Sequence, residues 1–372
     1  MRGSLTRRGK RSWRFKYDVP GDGKREIRYV TIKKSIKAEA QAEAARIIAS
    51  VAGGTHVDPS AETVAEFLER WLRDEAAINV SNASCTKYAQ LLRTHVAARV
   101  GPLPLQKLTG AHLKQVYAAM AREGLSDRTR LHVHRVVHTM LKHAEQWGVV
   151  PRNVAKMIDA PKIEERDEVA TLTTEHVQRV LDSLTDKSLR MIALLLLMTG
   201  LRRNEALALH WRDVDLDAAK LKVVHAFEHH TKEGLRLKAP KTRRSRRTVT
   251  LPSAFVTELR AHKRAQQELR LALGIGGRAT LVFDEPDGTP LSPDTITRRW
   301  ERATKRLGLK ATLHSLRHTH ASTLILSGLD VITVSRRLGH SSPVLTLNTY
   351  GHLIRPDDQA ATIMDKALKR ME

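Results

Sequence analysis

Apolar residues recur along this chain with two different periods, and the switches between them divide it into segments. Trp13, Phe15 and Tyr17 alternate with Arg14 and Lys16, the period-two pattern of a half-buried strand. Pro20-Gly21-Asp22-Gly23 is a turn, and Ile27, Tyr29 and Thr31 alternate again behind it. An alanine-rich stretch from about Lys37 to Val51 then reads as a helix. Residues 1–58 are therefore expected to form a small three-stranded β module plus a helix, closed by linker signals at Gly53-Gly54-Thr55 and Asp58-Pro59-Ser60.

Helical periodicity follows at once, with Val64, Phe67, Leu68, Trp71 and Leu72 on one face. Ser126 starts a longer helix in which Val133, Val136, Val137, Met140, Leu141 and Ala144 recur until Gly148 stops it. Residues 61–160 thus read as an all-helical domain. The polar run Pro161 to Asp167 breaks periodicity and predicts a second linker. From residue 168 to 372 helices mix with a short sheet, whose strands are expected at Leu221–Phe227, Leu235–Ala239 and Arg247–Leu251. The fold class predicted is multidomain, mainly α with small β-sheets, and there is no internal repeat.

Charge changes this picture from architecture to partner. The 372 residues carry a formal net charge of +24 and a sequence pI near 10.5, which points to a polyanion such as DNA or RNA. Residues 1–60 hold 14 Lys/Arg against 6 Asp/Glu, with Arg14 and Lys16 interleaved among aromatics. The polar face of the Ser126 helix carries Arg128, His132, Arg135, His138 and Lys142, which serves equally as a solvated face or a DNA-contacting one. The longest purely apolar run, Met191 to Met198, is too short to span a bilayer, so no membrane partner is expected. Cys85 is the single cysteine, which excludes an intrachain disulfide and a cysteine-based zinc site. The N-terminus lacks the apolar core of a secretory signal, and a cytoplasmic, nucleoid-associated location in a bacterial host is expected.

The candidate chemistry lies near the C-terminus. His314-Ser-Leu-Arg317-His318 is followed by Leu338-Gly339-His340 and, ten residues on, by Tyr350. An arginine that neutralises a phosphate, histidines that handle protons and a phenol nucleophile form a kit for attacking a phosphodiester. His314 and Arg317, at i and i+3, share one helix face. Asp330 is a cap for a helix through Leu338, Gly339 a natural stop, and Ser342-Pro343 an N-cap and N1 pair that places Tyr350 two turns into the next helix. Val344, Leu345 and Leu347 are expected to anchor that helix.

This spacing resembles the C-terminal signature of the tyrosine recombinases, the phage-integrase family. The resemblance requires an arginine after a Thr-Gly pair, and Thr199-Gly200-Leu201-Arg202 supplies it, with Arg203 the less favoured neighbour and Glu205 the acidic residue on the same helix. It requires a lysine in a β-hairpin, which Lys241 fits, surrounded by cations such as Arg243 and Arg244 that can track phosphates. The resemblance implies that Arg202 and Arg317 clamp the phosphate, His314 accepts the tyrosine proton, Lys241 protonates the leaving 5′-oxygen, His340 hydrogen-bonds the phosphate and Tyr350 is the nucleophile. It also implies an arm-type DNA-binding module at 1–58, a core-binding domain at 61–160 and a catalytic domain at 168–372. The partners implied are duplex DNA at core and arm-type attachment sites, a homotetramer on that DNA, an excisionase and a host DNA-bending protein. No cofactor and no metal are expected, because the phosphotyrosyl ester conserves the bond energy. The alternatives are a dimer-resolving Xer-like recombinase, a type IB topoisomerase and a catalytically inactive DNA-binding regulator.

Overall fold

In the computed structural model the chain divides into two units, residues 1–165 and 166–372. The residues described are 3–20, 25–53, 56–163, 171–230, 234–238, 246–354, 364, 365 and 368.

The first unit begins with an antiparallel meander of β1 (Gly3–Gly9), β2 (Ser12–Pro20) and β3 (Arg25–Ile32), followed by α1 (Lys37–Ala52). Phe15 pairs with Val30 and Trp13 with Ile32. That register puts Trp13, Phe15 and Tyr17 beside Val30 and Ile32, packed on Ala40, Ala44 and Val51 of the helix. It also corrects the expected face of β3. Ile27, Tyr29 and Thr31 point outward, because each alternating set of β3 carries two large apolar or aromatic side chains and only the pairing with β2 selects the buried one. Tyr29 consequently lies opposite Lys16 on the outer face, with the Arg14 guanidinium 4.1 Å over its ring.

The helices of this unit include α2 (Val64–Trp71), α3 (Asn82–Leu91), α4 (Gly110–Arg122) and α5 (Asp127–Gln146). Thr63 and Glu66 close a reciprocal capping box at the start of α2, which fixes where the apolar stripe Val64, Phe67, Leu68 and Trp71 enters the core. Ser126 caps α5 as expected, and all six apolar positions of that helix are buried. Arg128, Arg135 and Lys142 are exposed on its opposite side. Of the second linker, Pro161 to Ile163 have no regular structure and the rest lies outside the described residues.

Among its described residues the second unit contains α6 (Thr174–Ser183), α7 (Lys187–Thr199), the short α8 (Arg203–Leu207), five strands, and then α9 (Ser253–Ala272), α10 (Pro293–Arg306), α11 (Leu313–Leu326), α12 (Val331–Leu338) and α13 (Pro343–Tyr350). The strands form two sheets rather than one. β4 (Val214–Asp215), β5 (Lys220–Val223) and β8 (Arg247–Thr250) pair in one, while β6 (Ala226–His230) and β7 (Gly234–Lys238) make a separate hairpin. The strand expected over Leu221–Phe227 is therefore two strands, interrupted at Val224-His225, with different partners on either side of the break.

Ile192 and Leu195 of α7 pack with Phe255, Leu259, Trp300 and Leu316 in the main core of this unit. A smaller core joins Ala321 and Ile325 of α11, Val334 and Leu338 of α12 and Tyr350 of α13. The anchoring expected from Val344, Leu345 and Leu347 is not observed, since all three are exposed. Thr346 and Tyr350, four residues apart, carry the buried side of α13 instead. Among the described residues no helix is long and apolar enough to cross a membrane.

Candidate active site

Helix termini build this site. The apolar α7 ends at Gly200, whose φ of +67° is the left-handed conformation that stops the helix without a side-chain penalty. A Cβ there would fall 2.6 Å from the His320 ring and 2.8 Å from Leu338, so glycine is required by space as well as by φ. Arg202 then caps α8. Its N–H donates to Glu205 Oε2 at 2.9 Å, its Nη1 to Oε1 at 2.8 Å, and its Nη2 to the Gly339 carbonyl at 3.2 Å. Neighbouring Arg203 is turned away, donating to Asn204, Thr297 and the Pro293 carbonyl.

Glu205 is only 5% exposed and is shared by two guanidiniums, Arg202 and Arg247. Burial by itself would raise its carboxyl, but the hydrogen bonds and charges of Arg247 and Arg202 outweigh that and hold it below the ordinary carboxylate range. Arg247, the first residue of β8, also donates to the Arg337 carbonyl at 2.6 Å and fills the space beside Gly339. Its part was not legible in the sequence, where it stood only as the first residue of an expected strand beside a basic turn.

Thr312 caps α11 through Ser315, which sets His314 and Arg317 on adjacent turns. Arg317 is 2% exposed and donates to two helix-terminal carbonyls, Gly200 and Leu338, the latter at 2.8 Å. Burial and the Arg202 charge press its pKa down to about 9, which leaves it cationic at neutral pH. Gly339, again left-handed at φ +68°, releases the chain into His340, whose Nδ1 lies 2.7 Å from the Thr346 hydroxyl. A cavity of about 360 Å³ beside His340 is lined by Arg246, Arg247 and Arg336.

Tyr350 is 2% exposed, and burial pushes its phenol up to about 12. Its hydroxyl lies 2.6 Å from Nδ1 of His318, not beside His314. His314 stacks edge-on against His318, with ring centroids 4.6 Å apart, and its outer side is exposed. Burial, then His314 and Arg317, drives His318 down to about 4, so at neutral pH it is an uncharged ring whose Nδ1 can accept a hydrogen bond from the phenol. His318 stood in the motif, yet adjacency to Arg317 alone did not mark it. Lys241, Arg243 and Arg244 lie outside the described residues, between the end of β7 at Lys238 and the start of β8 at Arg247.

His318, His320 and His340 all have pKa values lowered from 6.5 to about 4, chiefly by burial. Between those limits the unfolded chain binds more protons than the folded one, so stability is present above pH 6.5 and is lost as pH falls towards 4. Thermal unfolding from pH 7 to 4.5 should show a steadily falling midpoint; a midpoint that holds or rises over that window contradicts the burial of these rings.

A family model described as "Phage integrase family" matches residues 170–355. A XerC-like tyrosine recombinase of Caldanaerobacter subterraneus is 26% identical over 86% of this chain and 86% of its own length. An integrase of Streptomyces ambofaciens is 29% identical over 90% of this chain and 88% of its own length. The fold matches that of the Tn1549 transposon integrase, solved in complex with a circular intermediate DNA, at a TM-score of 0.68 and 20% identity, covering 82% of this chain and 99% of that one. The chain belongs to the phage integrase family, and it is a tyrosine-type site-specific DNA recombinase.

Proposed function

We propose that this chain binds duplex DNA and cleaves and rejoins it through a 3′-phosphotyrosyl link to Tyr350, integrating or excising a mobile element such as a prophage. The observation that carries this reading is the Tyr350 hydroxyl held 2.6 Å from an uncharged His318, on the same scaffold of helix ends as Arg202 and Arg317. Arg202 and Arg317 neutralise the equatorial oxygens of the pentacovalent transition state, for which a guanidinium offers paired donors. His318 accepts the phenolic proton, with His314 as its exposed neighbour towards the substrate, and His340 donates to the phosphate. Lys241 protonates the departing 5′-oxygen. Tyr350 and Arg317, each 2% exposed, do not reach a phosphate as they stand, so α13 and the groups packed against it have to shift on DNA binding before cleavage.

Three domains are assigned on the same reading: arm-type DNA binding at 1–58, core-site binding at 61–160 and catalysis at 168–372. The outer face of the β module, with half-buried Arg14 beside exposed Lys16 and Tyr29, supports the first, and the exposed Arg128, Arg135 and Lys142 of α5 support the second. The working form is a homotetramer on DNA in the bacterial cytoplasm, aided by an excisionase and a host DNA-bending protein. Exposed Val344, Leu345 and Leu347 on the nucleophile's helix suit contact between protomers.

A suicide core-site substrate is expected to trap a covalent protein–DNA adduct and release a strand with a free 5′-hydroxyl. No adduct on the attachment site, or linkage to the 5′ end, overturns the assignment. Removing residues 1–58 is expected to abolish integrative recombination while core-site cleavage persists. Normal recombination by the shortened chain would refute the arm-binding role.

A further inference from the structure

Away from the recombination chemistry, His210, Asp213 and His225 each bring one ligating atom to within 4.8 Å of the others. His210 is buried, and its Nδ1 lies 3.0 Å from the Ala208 carbonyl. Donation to that carbonyl fixes the tautomer and leaves Nε2 with a free lone pair, the arrangement that orients metal-bound imidazoles. The His210 and His225 rings are tilted 55° to one another with centroids 5.6 Å apart. Asp213 Oδ2 and His225 Nδ1 are both shut off from solvent without a hydrogen-bond partner. Two orphaned polar atoms in one small cluster are costly unless something fills it, because each forgoes its hydrogen bonds to water.

We propose that His210, Asp213 and His225 bind a zinc ion. Two imidazoles and one carboxylate suit zinc, whereas magnesium prefers oxygen ligands throughout. A tetrahedral zinc with bonds near 2.0–2.1 Å sets its ligand atoms about 3.3 Å apart, so these three need to close in by at most roughly 1.5 Å. A water completes the fourth position. His210 follows the helix that Arg202 caps, and His225 immediately precedes the β6–β7 hairpin that leads towards Lys241. The ion therefore ties the segment after the α8 helix to the root of that hairpin. Its role is structural, outside the phosphoryl-transfer steps.

The test uses the full chain, stripped with a chelator, dialysed and titrated with zinc chloride, with magnesium chloride as control. Wild type should retain one more equivalent of zinc per chain than Asp213→Asn or His225→Gln, and the affinity of each variant for that equivalent should fall more than about tenfold. Zinc should raise the thermal midpoint of the wild type and leave those of the variants unmoved; magnesium should do neither. Equal zinc retention by wild type and both variants overturns the site, as does a stripped wild type whose midpoint ignores zinc. The wild-type titration decides the matter even if both variants fail to fold: no retained equivalent and no shift means the orphaned atoms are bridged by water.

Discussion

Tyr350→Phe should bind the attachment site with the affinity of the wild type and yield no covalent adduct on a suicide substrate, a loss of more than about 10⁴-fold in cleavage rate. The ring stays in the small core of Ala321, Ile325, Val334 and Leu338, so packing is unchanged. What disappears is the one oxygen that can attack phosphorus and the hydrogen bond to His318. The unpaired His318 nitrogen costs about 1–3 kcal/mol, small enough for the variant to remain folded. His318→Ala provides the contrast. It keeps the nucleophile but removes the group touching it, and general-base contributions of about 10²–10⁴-fold set the expected slowing. Residual adduct in Tyr350→Phe would assign the attack to another residue; unchanged cleavage in His318→Ala would restrict that histidine to packing.

Glu205→Ala should destabilise the second unit by about 3–5 kcal/mol, read from the shift in its denaturant midpoint. The carboxylate is the shared counter-charge of Arg202 and Arg247, and the Arg247 side chain is only 6% exposed. Removing it takes a carboxylate from beside a buried guanidinium that lies close to the further positive charges of Arg202 and Arg317. It also frees Arg202 from its capping box, so cleavage should fall with stability. Glu205→Gln, which keeps an acceptor but not the charge, should lie between the two. A loss below about 1 kcal/mol for Glu205→Ala would show that solvent already screens the cluster.

The parts of this molecule that were legible in the sequence are those written locally. Asp330, Gly339, Ser342 and Pro343 mark the ends of α12 and α13 because caps and left-handed stops act within one turn. The apolar stripe of α5 was legible for the same reason, since its period is a property of neighbouring residues. Non-local pairing was not. Leu221 to Phe227 contains no glycine, proline or other turn residue to mark a break, and only the separate pairings with β8 and β7 reveal two strands. Ile27 and Tyr29 are as apolar as Val30 and Ile32, and register rather than composition sends the first pair outward. In the site, residue types and order pointed to the region, but contacts between distant segments did not follow. His318 meets a phenol 32 positions away, and Arg247 meets Glu205 across 42.

Arg317 holds the Gly200 and Leu338 carbonyls together while standing among the groups proposed to meet phosphate. Selection for a stable chain and selection for strand cleavage therefore fall on the same codon there. Tyr350 is different, because a phenylalanine satisfies its pocket at little cost to folding. A lineage that drifts from recombinase to DNA-bound regulator should thus lose its tyrosine long before its arginine. An intact arginine at this position says little about whether such a descendant still cuts DNA.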